Sequence, residues 1–125
     1  MSWPILVKHA AAAPAPGDGV RVLVERRWPP GLKRDDLHAD LWLKDLAPSD
    51  SLLRWRCAAP GREATFIQRY RGELRANEDL RVLAELHARG PVTLLHNTRE
   101  PAGSVAWLLA RLLAEHDSAQ QERAS

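Results

Sequence analysis

VRVLVERRWPPG, Val20–Gly31, is the stretch on which the fold turns. Its first five residues are aliphatic except for Arg21, and three of them are β-branched. Such a run suits a strand buried on both faces of a parallel sheet, not one alternating between core and solvent. It then breaks into Glu25, Arg26, Arg27 and Trp28, and Pro29 and Pro30 end it. Charged and aromatic side chains therefore collect where a strand stops. In open parallel sheets, ligands gather beyond the carboxyl ends of the strands.

Upstream, Ile5–Lys8 reads as another short strand, and AAAAPAPGDG at 10–19 reads as a small, Pro-rich mobile loop. Downstream, Ser49 or Ser51 can cap a helix carrying Leu52, Leu53 and Trp55, which ends in the AAPG at 58–61. Phe66, Ile67, Tyr70 and Leu74 recur at helical spacing, with Arg62, Arg69, Arg71 and Arg75 on the opposite face. Leu80, Leu83 and Leu86 mark a third helix from Glu78, stopped by Gly90 and Pro91. Val92–Leu95 reads as a second buried strand, and 96–100 as its exit loop. Residues 101–115 read as a last helix, with Val105, Leu108, Leu109, Leu112 and Leu113 facing inward. Strands separated by helical excursions imply a small single-domain α/β fold, a short and mainly parallel sheet covered by about four helices. The domain spans 1–116, and the polar 117–125 reads as a disordered tail.

The chain has 125 residues, 45% of them hydrophobic, enough for one core and too few for two ordinary domains. Cys57 is the single cysteine, so no internal disulfide forms, and a reducing cytoplasm is the expected compartment. No apolar segment approaches the roughly 20 residues of a membrane span, and no targeting signal opens the chain. Eighteen Lys and Arg against 16 Asp and Glu leave a net charge of only +2, which weakens a nucleic-acid reading and leaves it open. The excess is local: residues 1–34 carry six basic and two acidic side chains.

The same blocks carry a family likeness. VLVERRWPPGL, DLWLKDLAPSDSLLRW, FIQRYRGEL and PVTLLHNTRE resemble the domain-of-unknown-function 488 family of YeaO-like proteins, from about Val20 to the end of the last helix. The resemblance implies a small cytosolic bacterial α/β domain with no assigned activity, so it supplies a fold more readily than a function. Against the family pattern, Glu25 stands for an Asp and Pro30 for an Arg. A His expected near Cys57 or Ala58 is missing, and Ser104 and Val105 stand for Asn-His. His96 and Asn97 replace a Tyr and a small residue. These departures imply a member that acts differently or only binds.

If the strands ending at Val24 and Leu95 are parallel neighbours, Arg26, Arg27, Trp28, His96, Asn97, Thr98 and Arg99 converge. The candidate ligand-binding set is Glu25, Arg26, Arg27, Trp28, Trp42, Lys44, Asn97, Thr98 and Arg99, for a small phosphate- or carboxylate-bearing anion. Arg26 has an alternative role as a staple, paired with Glu25, Asp40 or Asp45. Trp28, Trp42 and Trp55 either wall a pocket or fill space under a long loop. His96 is the candidate general base for a hydrolysis or transfer step, and its alternative is a hydrogen-bonded histidine at a strand end. Whether the site turns a substrate over stays open.

Asp35, Asp36 and Asp40 read as a solvated turn. CAAPGR at 57–62 spaces Cys57 and Arg62 one residue short of a phosphatase loop and lacks a preceding strand. No metal-ligand spacing, GxGxxG or P-loop is present, so neither metal nor cofactor is expected. Two other classes compete with the anion site. One is a regulatory nucleic-acid module using the basic front of the chain and the Arg-rich face of the Phe66–Leu74 helix, and the other is a non-catalytic interaction domain.

Overall fold

A computed structural model describes residues 3–97 and 105–124, of which 116–124 are described as backbone only. Four strands, β1 (Ile5–His9), β2 (Val20–Leu23), β3 (Leu41–Trp42) and β4 (Val92–His96), form one sheet in the order β1-β4-β2-β3. Every pairing is parallel, with Val7 opposite Leu94, Val22 opposite Leu94, and Leu23 opposite Trp42. β4 lies between β1 and β2, and all five of its residues are buried. That explains VTLLH: a central strand has no solvent face on which to alternate. The all-parallel order bears out the α/β reading drawn from Val20–Val24.

The helices are α1 (Arg34–Leu37), α2 (Asp50–Cys57), α3 (Glu63–Leu74), α4 (Glu78–Arg89) and α5 (Val105–Ala124). Ser49, the first of the two expected caps, accepts from the Leu52 N–H and starts α2. Asn77 caps α4 through the Asp79 N–H. One face of the sheet, Val22, Val24, Val92 and Leu94, packs on Phe66, Tyr70, Leu83, Leu109 and Leu113 from the longer helices. On the other face, Ala10, Leu23 and Leu95 are covered by Leu37, with Trp28, Leu32 and Ala39 around them. A long loop with one helical turn therefore takes the place of a second helical layer. α1 lies in the stretch read as a solvated turn, and β3 follows it where the sequence reading assigns no element. Two- and four-residue elements leave no periodicity to detect.

Two segments differ from their sequence reading. The stretch 10–19 is pinned: Asp18 is 2% exposed and accepts from Lys8 Nζ at 2.5 Å, Arg21 Nη1 at 2.6 Å and the Ala15 N–H at 3.1 Å. Gly19 has φ +62°, and a Cβ there would lie 2.0 Å from the Pro91 carbonyl oxygen, so the turn into β2 requires glycine. The second difference is at the end of the chain, where helix continues through 117–124, the stretch read as a tail. Ala119, Gln120, Gln121, Glu122 and Arg123 are all strong helix formers, and no proline or glycine interrupts them.

Candidate functional site

The parallel sheet puts the ends of β1, β4, β2 and β3 along one edge, and backbone bonds tie them together. The Ala10 N–H donates to His96 O at 2.7 Å, Val24 N–H to Leu95 O at 3.3 Å, and Leu43 N–H to Leu23 O at 3.0 Å. Glu25 continues this stitching with both its ends. Its Oε1 accepts from the Asn97 N–H at 2.9 Å, and its carbonyl accepts from Trp42 Nε1 at 2.6 Å. One residue thereby joins the exits of β2, β3 and β4. This convergence of Glu25, Trp42 and Asn97 follows from β2 lying between β4 and β3.

Trp28 and Trp42 meet edge to face, with ring centroids 5.5 Å apart. Trp28 is half-buried and donates from Nε1 to Leu32 O at 2.7 Å, which places it with the loop packing. Trp42 is 41% exposed although its ring meets Trp28 and its N–H is held by Glu25 O. It is therefore a rigid aromatic surface open to solvent. Beside it in sequence, Lys44 is exposed and makes no ion pair among the described residues. The Arg27 side chain is 86% exposed, with Asp50 no nearer than 4.0 Å.

Arg26 takes its other role. Nε and Nη2 donate to the Pro48 and Ala47 carbonyls at 3.1 and 2.8 Å, and Nη1 lies 3.8 Å from Asp45. The guanidinium therefore joins the strand exit to the turn before α2, where Leu46, Ala47 and Pro48 are buried. Thr98 and Arg99, the remaining candidates, lie outside the described residues. The solvated-turn reading misses Asp40, whose Oδ2 accepts from the Arg21 N–H at 2.8 Å.

His96 is 2% exposed and meets His9 edge to face at 5.6 Å. Burial and the neighbouring His9 lower its pKa below the usual histidine value, while Glu25 acts in the opposite direction. It is therefore neutral at pH 7. His9 Nδ1 accepts from the Ala11 N–H at 3.0 Å, so its proton sits on Nε2. His9 lies one residue beyond the Ile5–Lys8 strand read in the sequence and ends β1. Only its register opposite His96 brings the two rings together.

Cys57 is exposed at the end of α2, and Arg62 turns back to donate to Trp55 O at 2.6 Å. CAAPGR is therefore a helix–turn–helix junction and not a phosphate cradle after a strand. Among the described residues no three His, Cys, Asp or Glu side chains come together to hold a metal, and no helix is long and apolar enough to cross a membrane.

These features define a class: a small all-parallel α/β domain whose exposed aromatic and basic groups lie at the carboxyl edge of its sheet. A family model described as the inactive DUF488-N3 subclade matches residues 4–125, and the chain belongs to this DUF488 family of YeaO-like proteins. An uncharacterised protein of Mycobacterium tuberculosis is 44% identical over 98 residues, covering 78% of this chain and 83% of its own length, and a Mycobacterium bovis protein matches equally. The uncharacterised YeaO protein of Escherichia coli is 36% identical over 94 residues, covering 74% and 82% of the two chains. No solved structure matches the chain.

Proposed function

We propose that this chain is a non-catalytic cytoplasmic domain that holds a small phosphate- or carboxylate-bearing ligand at the carboxyl edge of its sheet. Arg27 and Lys44 supply the charge, Trp42 the contact surface and Asn97 the β4 side, with Thr98 and Arg99, next in sequence after Asn97, as further candidates. The carrying observation is Trp42, 41% exposed yet held by Glu25 O and by Trp28. An aromatic ring fixed before binding loses little entropy when a ligand covers it. A turnover reading, hydrolysis or transfer with His96 as base, is less well supported. His96 is buried, and the matching family is described as inactive. Arg26 enters as the staple that fixes the site's floor.

The test is a thermal-shift screen of wild type and an Arg27→Ala/Lys44→Ala double variant against inorganic phosphate, nucleotides, phosphosugars and dicarboxylates. A ligand at 100 times its Kd stabilises the fold by about 2.7 kcal/mol, a shift that is easily read. The expected result is stabilisation of the wild type that is clearly smaller in the double variant, most plainly for dicarboxylates, while the double variant keeps its own melting temperature without ligand. If no compound shifts the wild type, or the double variant responds equally, the proposal is wrong.

A further inference from the structure

Between Asp50 and Arg75 the chain carries six arginines against three carboxylates. Each of those carboxylates has a nearest partner other than Arg62 or Arg69. Glu63 pairs with Arg56 at 3.0 Å, Glu73 accepts from the Ser49 N–H and hydroxyl, and Asp50 lies nearest Arg27. Arg71 has found Glu115 at 2.8 Å. Arg54, Arg62, Arg69 and Arg75 are left with no carboxylate within ion-pairing distance among the described residues.

Two of the four are held together. The Arg62 guanidinium lies 4.7 Å from the centroid of Trp55 and that of Arg69 lies 4.1 Å from the same centroid, so the two carbons are at most about 9 Å apart. Arg62 is further fixed by its bond to Trp55 O, which uses Nη1 and leaves Nε and Nη2. Among the described residues Arg69 makes no hydrogen bond, so its five donors have no protein partner there. The indole supplies attraction without supplying a counter-charge. Two like charges are thus brought close on one ring with their hydrogen-bonding capacity unspent. A guanidinium placed for packing alone would gain by a carboxylate neighbour, and among the described residues neither Arg62 nor Arg69 has one within ion-pairing distance.

We propose that Arg62 and Arg69, set on Trp55, form a second anion site on the α2–α3 hairpin, and that its ligand is a phosphate group. A tetrahedral oxyanion accepts from both forks at once and relieves their mutual repulsion, whereas a lone carboxylate satisfies one fork. It is separate from the edge of the sheet and does not depend on the function proposed there.

The experiment follows the arginine Nε–H resonances of ¹⁵N-labelled full-length protein during titration with sodium phosphate, chloride keeping the ionic strength constant. Saturable shifts of Arg62 and Arg69 are expected, with binding weaker by about tenfold or more in Arg69→Gln, since a charge-assisted fork is lost. Arg69→Lys keeps the charge and should fall between the two. The Arg27→Ala/Lys44→Ala variant should bind phosphate at the hairpin as wild type does, which separates this site from the other. An oligothymidylate arm identifies the source: binding at the same resonances, tighter than phosphate and steeply salt-dependent, names a nucleic-acid backbone. Oligothymidylate no tighter than phosphate names a small phosphorylated ligand. Absence of saturable shifts at both arginines, or phosphate binding unchanged in a folded Arg69→Gln protein, overturns the proposal.

Discussion

Asp18→Ala is the substitution that most directly tests how the sheet's second face is held. Asp18 and Arg21 are 2% and 3% exposed, and Arg21 Nη1 lies 2.6 Å from Asp18 Oδ2. Arg21 also donates to His38 O at 2.9 Å and Ala12 O at 2.8 Å, so it cannot leave when its carboxylate is deleted. Removing one partner of a buried pair costs about 3–5 kcal/mol, because the other charge stays buried without compensation. In a domain stable by about 5–15 kcal/mol that is a large share, and the melting temperature should fall on the order of 10–20 °C. Lys8→Met is the contrasting variant. The Lys8 side chain is 28% exposed, so water can replace it on Asp18, and about 1 kcal/mol or less should be lost.

Acid should act through the same carboxyl. Burial alone would raise the Asp18 pKa, but hydrogen bonds from Lys8, Ala15 and Arg21 overcome it and hold the group at about 2, against an ordinary 3.8. The folded value lies below the unfolded one. The stabilisation is therefore complete above pH 3.8 and disappears as pH falls from there through 2. Urea unfolding followed by far-ultraviolet circular dichroism reads both effects from the midpoint at constant slope. A loss under about 1 kcal/mol for Asp18→Ala, or equal losses for Asp18→Ala and Lys8→Met, would refute the reasoning.

Gly19→Ala should destabilise by more than about 2 kcal/mol, because the positive φ and the Pro91 carbonyl both oppose a Cβ. Gly17→Ala meets nothing within 4 Å and should differ little from wild type in the same calorimetric scan. Arg26→Ala loses two charge-assisted bonds to buried carbonyls and should cost about 2–3 kcal/mol, whereas Arg27→Ala should stay within about 0.5 kcal/mol. Equal unfolding midpoints for those two variants would show that the staple assignment is mistaken. For His96 the folded pKa is depressed, so the unfolded chain takes up a proton first, and stability should decline as pH drops below about 6.5. His96→Gln should flatten that decline. A nuclear magnetic resonance titration midpoint for His96 at or above 6.5 would contradict its placement.

Runs of aliphatic residues told most about the fold. Val20–Val24 and Val92–Leu95 cannot be surface strands, since neither has a polar face, and that alone requires a sheet covered on both sides. The spacing of Phe66, Tyr70 and Leu74, and Ser49 ahead of α2, set the helices as local events. The candidate site was legible only in outline. Glu25, Arg26, Arg27 and Trp28 stood out because charge followed a buried strand, but which of them faces solvent was not written there. Arg26 and Arg27 are identical neighbours in sequence. One is spent on the carbonyls of Ala47 and Pro48 and the other is 86% exposed.

By itself, then, the sequence determined the class: a small parallel α/β domain with a basic, Trp-bearing strand exit, and a family likeness in the same residues. The tertiary structure alone decided the strand order, the burial of Asp18 against Arg21, the meeting of His9 with His96, and the placing of two arginines on Trp55. The division has a physical reason. Burial pattern and capping are properties of a few consecutive residues, and they leave periodic marks in the chain. A pairing between residues ten or eighty apart depends on which strand lies beside which, and that is settled only when the whole core packs.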